Sequence, residues 1–228
     1  MTYNPFLIIQ LITGIVSIII SFYVGTKIAL KFLEFKRIEF LLVGITGILI
    51  TEPILGIVIS ILSVFFGSGL PLGISNIISF SCQPIGFFTW LFAITELMYK
   101  KNQKVILILA VIYGILFEFI LLANPEFTIE FNYIMILILI IMALLTVLIT
   151  GLLFARENLI SDEPEIQLKG KLLVYAFVSY FIFGVITTVI GLSELILTCL
   201  YIYFMTASFA FYGGFVLPDW MKQFLLRN

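Results

Sequence analysis

Histidine is missing from the chain altogether. Without it there is no His-ligated haem, no Ser-His nucleophile and no His-ligated zinc hydrolase. Aspartate occurs only at positions 162 and 219, outside every long apolar run, which argues against an intramembrane aspartyl protease. The apolar run 195–217 has no lysine for a retinal Schiff base. Cysteine is scarce: Cys82 and Cys199 both lie in apolar stretches, where a thiol packs as a small hydrophobe, and their number and spacing suit neither a disulfide framework nor a zinc site. Charged residues make up only 11% of the chain, against roughly 25% in an ordinary soluble domain. No basic patch of the nucleic-acid-binding kind is present, and no cofactor, metal ligand set or catalytic group is implied. The opening MTYNPF carries no basic n-region and no small-residue cleavage site follows the first apolar run, so that run is expected to remain as a helix.

What is present is hydrophobic: 62% of 228 residues. With no long polar segment, sensing, transport or catalysis is expected of the membrane bundle itself. A hydrocarbon core of about 30 Å needs about 20 helical residues. Apolar runs of that order lie at 7–27, 39–66, 73–98, 105–123, 131–154 and 172–217. The last is too long for one crossing, and Gly191-Leu192-Ser193-Glu194 supplies a turn that divides it. The expected fold is all-α, a polytopic membrane bundle of seven transmembrane helices over 1–217, followed by a short amphipathic tail over 218–228.

The basic residues support that count. Lys27, Lys31, Lys36 and Arg37 follow the first run; Lys100, Lys101 and Lys104 the third; Arg156, Lys169 and Lys171 the fifth; Lys222 and Arg227 the last. With seven spans all 12 fall on one side. By the positive-inside bias that side is cytoplasmic, which puts the N-terminus outside and the C-terminus in the cytoplasm of a multi-pass cell-membrane protein. The loop 155–171 is the longest on this side and acidic in its middle. In the tail, Trp220, Met221, Phe224 and Leu225 share one side and Lys222, Gln223 and Arg227 the other, the pattern of an interfacial helix.

Glu52-Pro53 and Gln83-Pro84 hold the only prolines deep in apolar helix, almost equidistant from the Gly67–Gly73 turn. The two arms of an antiparallel hairpin should therefore bring them to similar depth. Each proline frees a carbonyl beside a polar side chain, which in a bilayer needs another helix, a water or a ligand. An intramembrane carboxylate is a functional-site hypothesis by default. No basic residue within the spans is available to Glu52, which is then either protonated and hydrogen-bonded or charged opposite a bound cation or amine.

In the last run Glu194, Thr198, Tyr201, Met205, Ser208 and Tyr212 recur at helical spacing on one face, which must point into the bundle. Interhelical hydrogen bonding and cavity lining both explain such a stripe. Thr206, Ala210 and Gly214, like Ser17, Ser21 and Gly25, are small residues four apart and suit close helix packing. Glu118, Glu126, Glu130 and Glu194 give the outer mouth an acidic field that attracts cations or amines. Glu96, one turn before Lys100, suits a snorkelling ion pair. The candidate ligand-binding set is Glu52, Gln83, Glu118, Thr198 and Tyr201.

Seven spans, WLFAITELMYKKNQK at 90–104, Asn124-Pro125 and LPDWMKQF at 217–224 together resemble the N-terminal seven-transmembrane sensor region of some prokaryotic histidine kinases. The sequence stops where a signalling domain begins in that family, and without histidine it is not itself a phosphoacceptor. The resemblance therefore implies a receptor-like sensory protein that binds a small-molecule or cationic ligand and signals to a cytoplasmic partner. The alternatives are a small-solute or cation transporter using Glu52 and Glu118 and, third, a lipid-modifying enzyme, for which no nucleophile-base pair or metal cluster is visible. Beyond the ligand and the partner protein, the lipid bilayer is the expected surround.

Overall fold

The computed structural model describes residues 5–67, 69–189 and 193–226. Its helices are α1 (Pro5–Phe35), α2 (Ile38–Leu49), α3 (Glu52–Phe65), α4 (Leu72–Phe80), α5 (Gln83–Met98), α6 (Gln103–Ala123), α7 (Glu130–Leu159), α8 (Pro164–Val189), α9 (Glu194–Phe215) and α10 (Asp219–Leu225), with a 3-10 turn at Lys100–Asn102. Pairs α2–α3 and α4–α5 each form one broken crossing, so the described residues make seven candidate membrane spans and no strand. Residues 190–192, which include Gly191 and Leu192 of the expected turn, and Arg227 of the tail lie outside the described residues.

The surface explains why lipid is the solvent. In the most apolar 18-residue stretch of the fourth span only 17% of residues are buried, and Ile108, Ile115, Phe119 and Leu122 stand exposed. An apolar face of this extent has no stable place in water. The chain is a multi-pass membrane protein.

The helices close into a ring in which α1 packs on α2 and α9, α9 on α8, α8 on α7, and α5 on α2, α6 and α7. Aromatic side chains fill the middle: the buried Trp90 ring lies 5.1 Å from Phe177, and Phe183 is 4.7 Å from Phe204. The Trp90 indole N–H donates to Thr150 Oγ1 at 2.8 Å, which satisfies the one polar atom of a buried indole.

Small residues set the closest approaches. A Cβ on Gly25 would sit 2.6 Å from the Gly44 carbonyl oxygen, so α1 and α2 touch backbone to backbone. Ser17 and Ser21 are buried as their spacing predicts. Of the second set, Ala210 and Gly214 are buried but Thr206 is exposed and shares a 2.7 Å hydrogen bond with the Tyr175 hydroxyl. Four-residue spacing alone does not fix which side of a helix meets a neighbour.

Helices outrun the apolar runs at the basic end. The expected loop 155–171 is mostly helix, because α7 continues to Leu159 and α8 begins at Pro164. Hydropathy falls where the hydrocarbon stops, whereas intrahelical hydrogen bonds persist through the headgroup layer, and Pro164 suits a first helical position. At this end Arg37, Leu97, Asn158, Lys169 and Phe215 line one cavity, which places the α1–α2, α5–α6 and α7–α8 connections together with the exit from α9. Lys100 Nζ donates to Glu96 Oε1 at 2.6 Å, the ion pair its spacing predicts. At the opposite end Asn76 Nδ2 donates to the Pro125 carbonyl at 2.7 Å.

The tail is a short helix, α10, but its expected apolar side divides. Met221 is buried against Gly213, while Trp220, Phe224 and Leu225 are exposed and free to meet lipid. Lys222 pairs with Glu165 at the start of α8.

Candidate functional site

Both breaks follow from proline geometry. A proline ring clashes with the carbonyl four residues earlier and brings no N–H to it. Pro53 and Pro84 stand four residues after Leu49 and Phe80, where α2 and α4 end. Each proline then occupies the second position of the resuming helix, after Glu52 in α3 and Gln83 in α5, where a missing N–H costs nothing. The two breaks meet. Glu52 Oε1 accepts the Cys82 backbone N–H at 2.5 Å and the Ser81 hydroxyl at 3.1 Å. An amide released by one break is thus satisfied by the carboxylate that the other presents.

The pairing leaves something over. Glu52 is only 6% exposed, yet its Oε2 has no hydrogen-bond partner. Gln83 Oε1 is also buried without one. Among the described residues four buried side-chain atoms are in this position, and these two belong to residues that line one cavity. The cavity, of about 260 Å³, lies between the broken hairpin and α7, α8 and α9; α8 contributes Tyr180, Thr187 and Thr188 and α9 contributes Phe204. Ser75, Asn76 and Ser79 line it from α4. Gln83 also borders an adjoining cavity of about 90 Å³ lined by Thr46, Phe87 and Phe177. Buried polar groups are normally hydrogen-bonded, so two residues of one cavity lining that each keep an orphan acceptor form a locus to which an N–H or O–H donor would be drawn.

The remaining candidates are placed elsewhere. Glu118, half-buried on α6, lines an open groove with Ser81 and Pro84 on the outer side of the third span. Ser81 borders both Glu52 and this groove, but Glu118 is not a wall of the Glu52 cavity. Thr198 and Tyr201 are not walls of it either. Thr198 Oγ1 donates to the Glu194 carbonyl one turn back, at 2.8 Å. Tyr201, fully buried, sits against Gly14, and its carbonyl accepts from Ser17 Oγ at 3.3 Å. Gln10 of α1 lies beside its hydroxyl, which nonetheless lacks a partner within hydrogen-bond geometry. Further along the stripe, Ser208 shares a 3.0 Å hydrogen bond with Ser21. The polar stripe of α9 faces the bundle interior, as its period predicts, and serves mainly to join α9 to α1.

The cavity also uses residues absent from the candidate set. Thr187 and Thr188 line it and donate to carbonyls of their own helix, at 2.8 Å to Phe183 and 2.6 Å to Gly184. A Thr-Thr pair in an apolar helix was a readable polar signal; its depth relative to Glu52 was not. Cys82 contributes its backbone N–H, and Cys199 is exposed on the outer face of α9. Searches for a matching family model, for a similar curated protein and for a similar solved structure found none.

Proposed function

We propose that the chain is a receptor-like sensory protein of the cell membrane. It binds a small ligand carrying a cationic or N–H donor group at Glu52 and Gln83, and passes a helix rearrangement to a cytoplasmic protein at the basic end. The observation that carries this reading is that two residues lining one cavity, Glu52 and Gln83, each hold a buried acceptor atom without a hydrogen-bond partner. A ligand with two donors answers both at once, and an amine or amidine also answers the carboxylate charge.

The breaks supply the coupling. Where helices are interrupted, few hydrogen bonds hold the halves in register, so a ligand bound at the junction bears on α3 and α5 together. α5 leads directly to the Lys100–Asn102 turn at the basic end. The one-sided basic residues favour a cytoplasmic position for that end. The resemblance to histidine-kinase sensor regions points the same way.

A thermal-unfolding screen of the detergent-solubilised chain against small amines, guanidines and carboxylates tests the reading. Amines or guanidines should raise the midpoint of the natural chain and raise that of Gln83→Leu less. Stabilisation by carboxylates alone would contradict it.

One observation favours a second reading, a small-solute or cation transporter. Paired broken helices meeting inside the bundle are a device transporters use to hold solutes and ions. Uptake of a stabilising amine into vesicles containing the protein, abolished by Glu52→Gln, would select it over the receptor.

A further inference from the structure

The second polar cavity lies at the basic end and shares no lining residue with the Glu52 site. It measures about 250 Å³ and is walled by Arg37, Glu39, Asn158 and Lys169, with the stacked rings of Phe154 and Phe215 beside them, 5.7 Å apart. From these features we infer that this cavity binds a phosphate group, presented by an anionic phospholipid or by a free phosphate.

Charge supports an anion. Arg37 and Lys169 face one carboxylate, Glu39, so the walls hold one positive charge in excess. Glu39 is nearly buried and takes an Arg37 N–H at 3.2 Å, which orients the guanidinium. A guanidinium has five donors, so this contact leaves others for a phosphate oxygen. Lys169, half-buried, has no ion-pair partner among the described residues.

Backbone adds to this field. Arg37 is the N-cap of the 12-residue α2, and Arg37, Glu39 and Phe40 are all among the walls, so the positive end of this helix dipole adjoins the cavity. Asn158 adds an amide donor. The apolar walls distinguish the two sources. Phe154 and Phe215 suit the glycerol and upper acyl region of a lipid, and basic pockets between helices are a general means of holding lipid phosphates.

The full chain in detergent micelles should be titrated with short-chain phosphatidylglycerol and, separately, with inorganic phosphate, following the unfolding midpoint. Phosphatidylglycerol should stabilise it, and Lys169→Gln should weaken the apparent affinity roughly fivefold, the worth of one lysine near an anionic lipid surface. Lys169→Arg should restore it. Stabilisation by phosphatidylglycerol alone assigns the phosphate to lipid; stabilisation by inorganic phosphate through the same lysine assigns it to a free anion. Lys101→Gln provides the control, because Lys101 sits at the same end but outside the cavity. Equal losses in Lys169→Gln and Lys101→Gln would mean diffuse surface attraction and would overturn the site, as would the absence of stabilisation by either probe.

Discussion

The seam between α1 and α9 and the junction of the two broken spans both bury polar side chains, with different outcomes. Along the seam, Ser17 bonds the Tyr201 carbonyl, Ser21 pairs with Ser208, and Tyr180 adds a 3.4 Å contact from its hydroxyl to Ser208. Among the described residues of the seam, the Tyr201 hydroxyl is the buried side-chain group left without a partner. At the junction, Glu52 spends one oxygen on Ser81 and Cys82 while its other oxygen and Gln83 Oε1 stay unmatched beside a cavity. Small residues let helices approach until their hydroxyls meet. Prolines hold the helices open at the point where the stronger acceptors sit.

If closeness is what stabilises the α1 side of the bundle, filling it should cause the largest damage. Gly44→Val places a Cβ about 2.5 Å from the Gly25 carbonyl oxygen, and backbone cannot yield as a side chain does. The expected cost is ~3 kcal/mol, the upper end of the overpacking range, in a reversible unfolding titration. A milder loss would mean that α1 and α2 slide apart freely. Next comes Glu52→Leu, which strands the Cys82 amide and the Ser81 hydroxyl. It should cost ~1–3 kcal/mol, the penalty of an unmade buried hydrogen bond. Smallest is the coupling energy of a Ser21→Ala, Ser208→Ala double-mutant cycle, expected at ~0.6 kcal/mol, the average for hydrogen bonds between membrane helices. A coupling energy larger than the loss in Glu52→Leu would reverse the contrast between the regions.

These regions were unequally legible in the sequence. The prolines were, because their effect is local: helix ends at Leu49 and Phe80 follow from a clash four residues back, and equal arm lengths brought the breaks together. Spans were legible through hydropathy, although α1 extends to Phe35 and α7 to Leu159, since charge marks the edge of the hydrocarbon and not the end of a helix. The stripe on α9 gave a correct face and no neighbour. Whether Thr198 and Tyr201 would meet α1 or the hairpin depended on ring order, which periodicity does not contain. Glu118 shares the depth of the breaks but sits on α6, on the other side of the third span from the cavity. Gly44 passed unremarked because a small residue becomes informative only when its partner, Gly25, is known.

The central claim is that Glu52 and Gln83 form a binding site and are not a structural joint. Its most direct test is the pH profile of binding for an amine that stabilises the natural chain, compared with Glu52→Gln and Gln83→Leu. A cation pairs with a carboxylate and not with a carboxylic acid, so affinity in the natural chain should fall as pH is lowered through the titration of Glu52. Glu52→Gln keeps an acceptor for the Cys82 amide and should bind weakly with a flat profile, and Gln83→Leu should bind less at every pH. Unchanged affinity and an unchanged profile in Glu52→Gln would contradict the account and leave the carboxylate as a clasp between two broken helices.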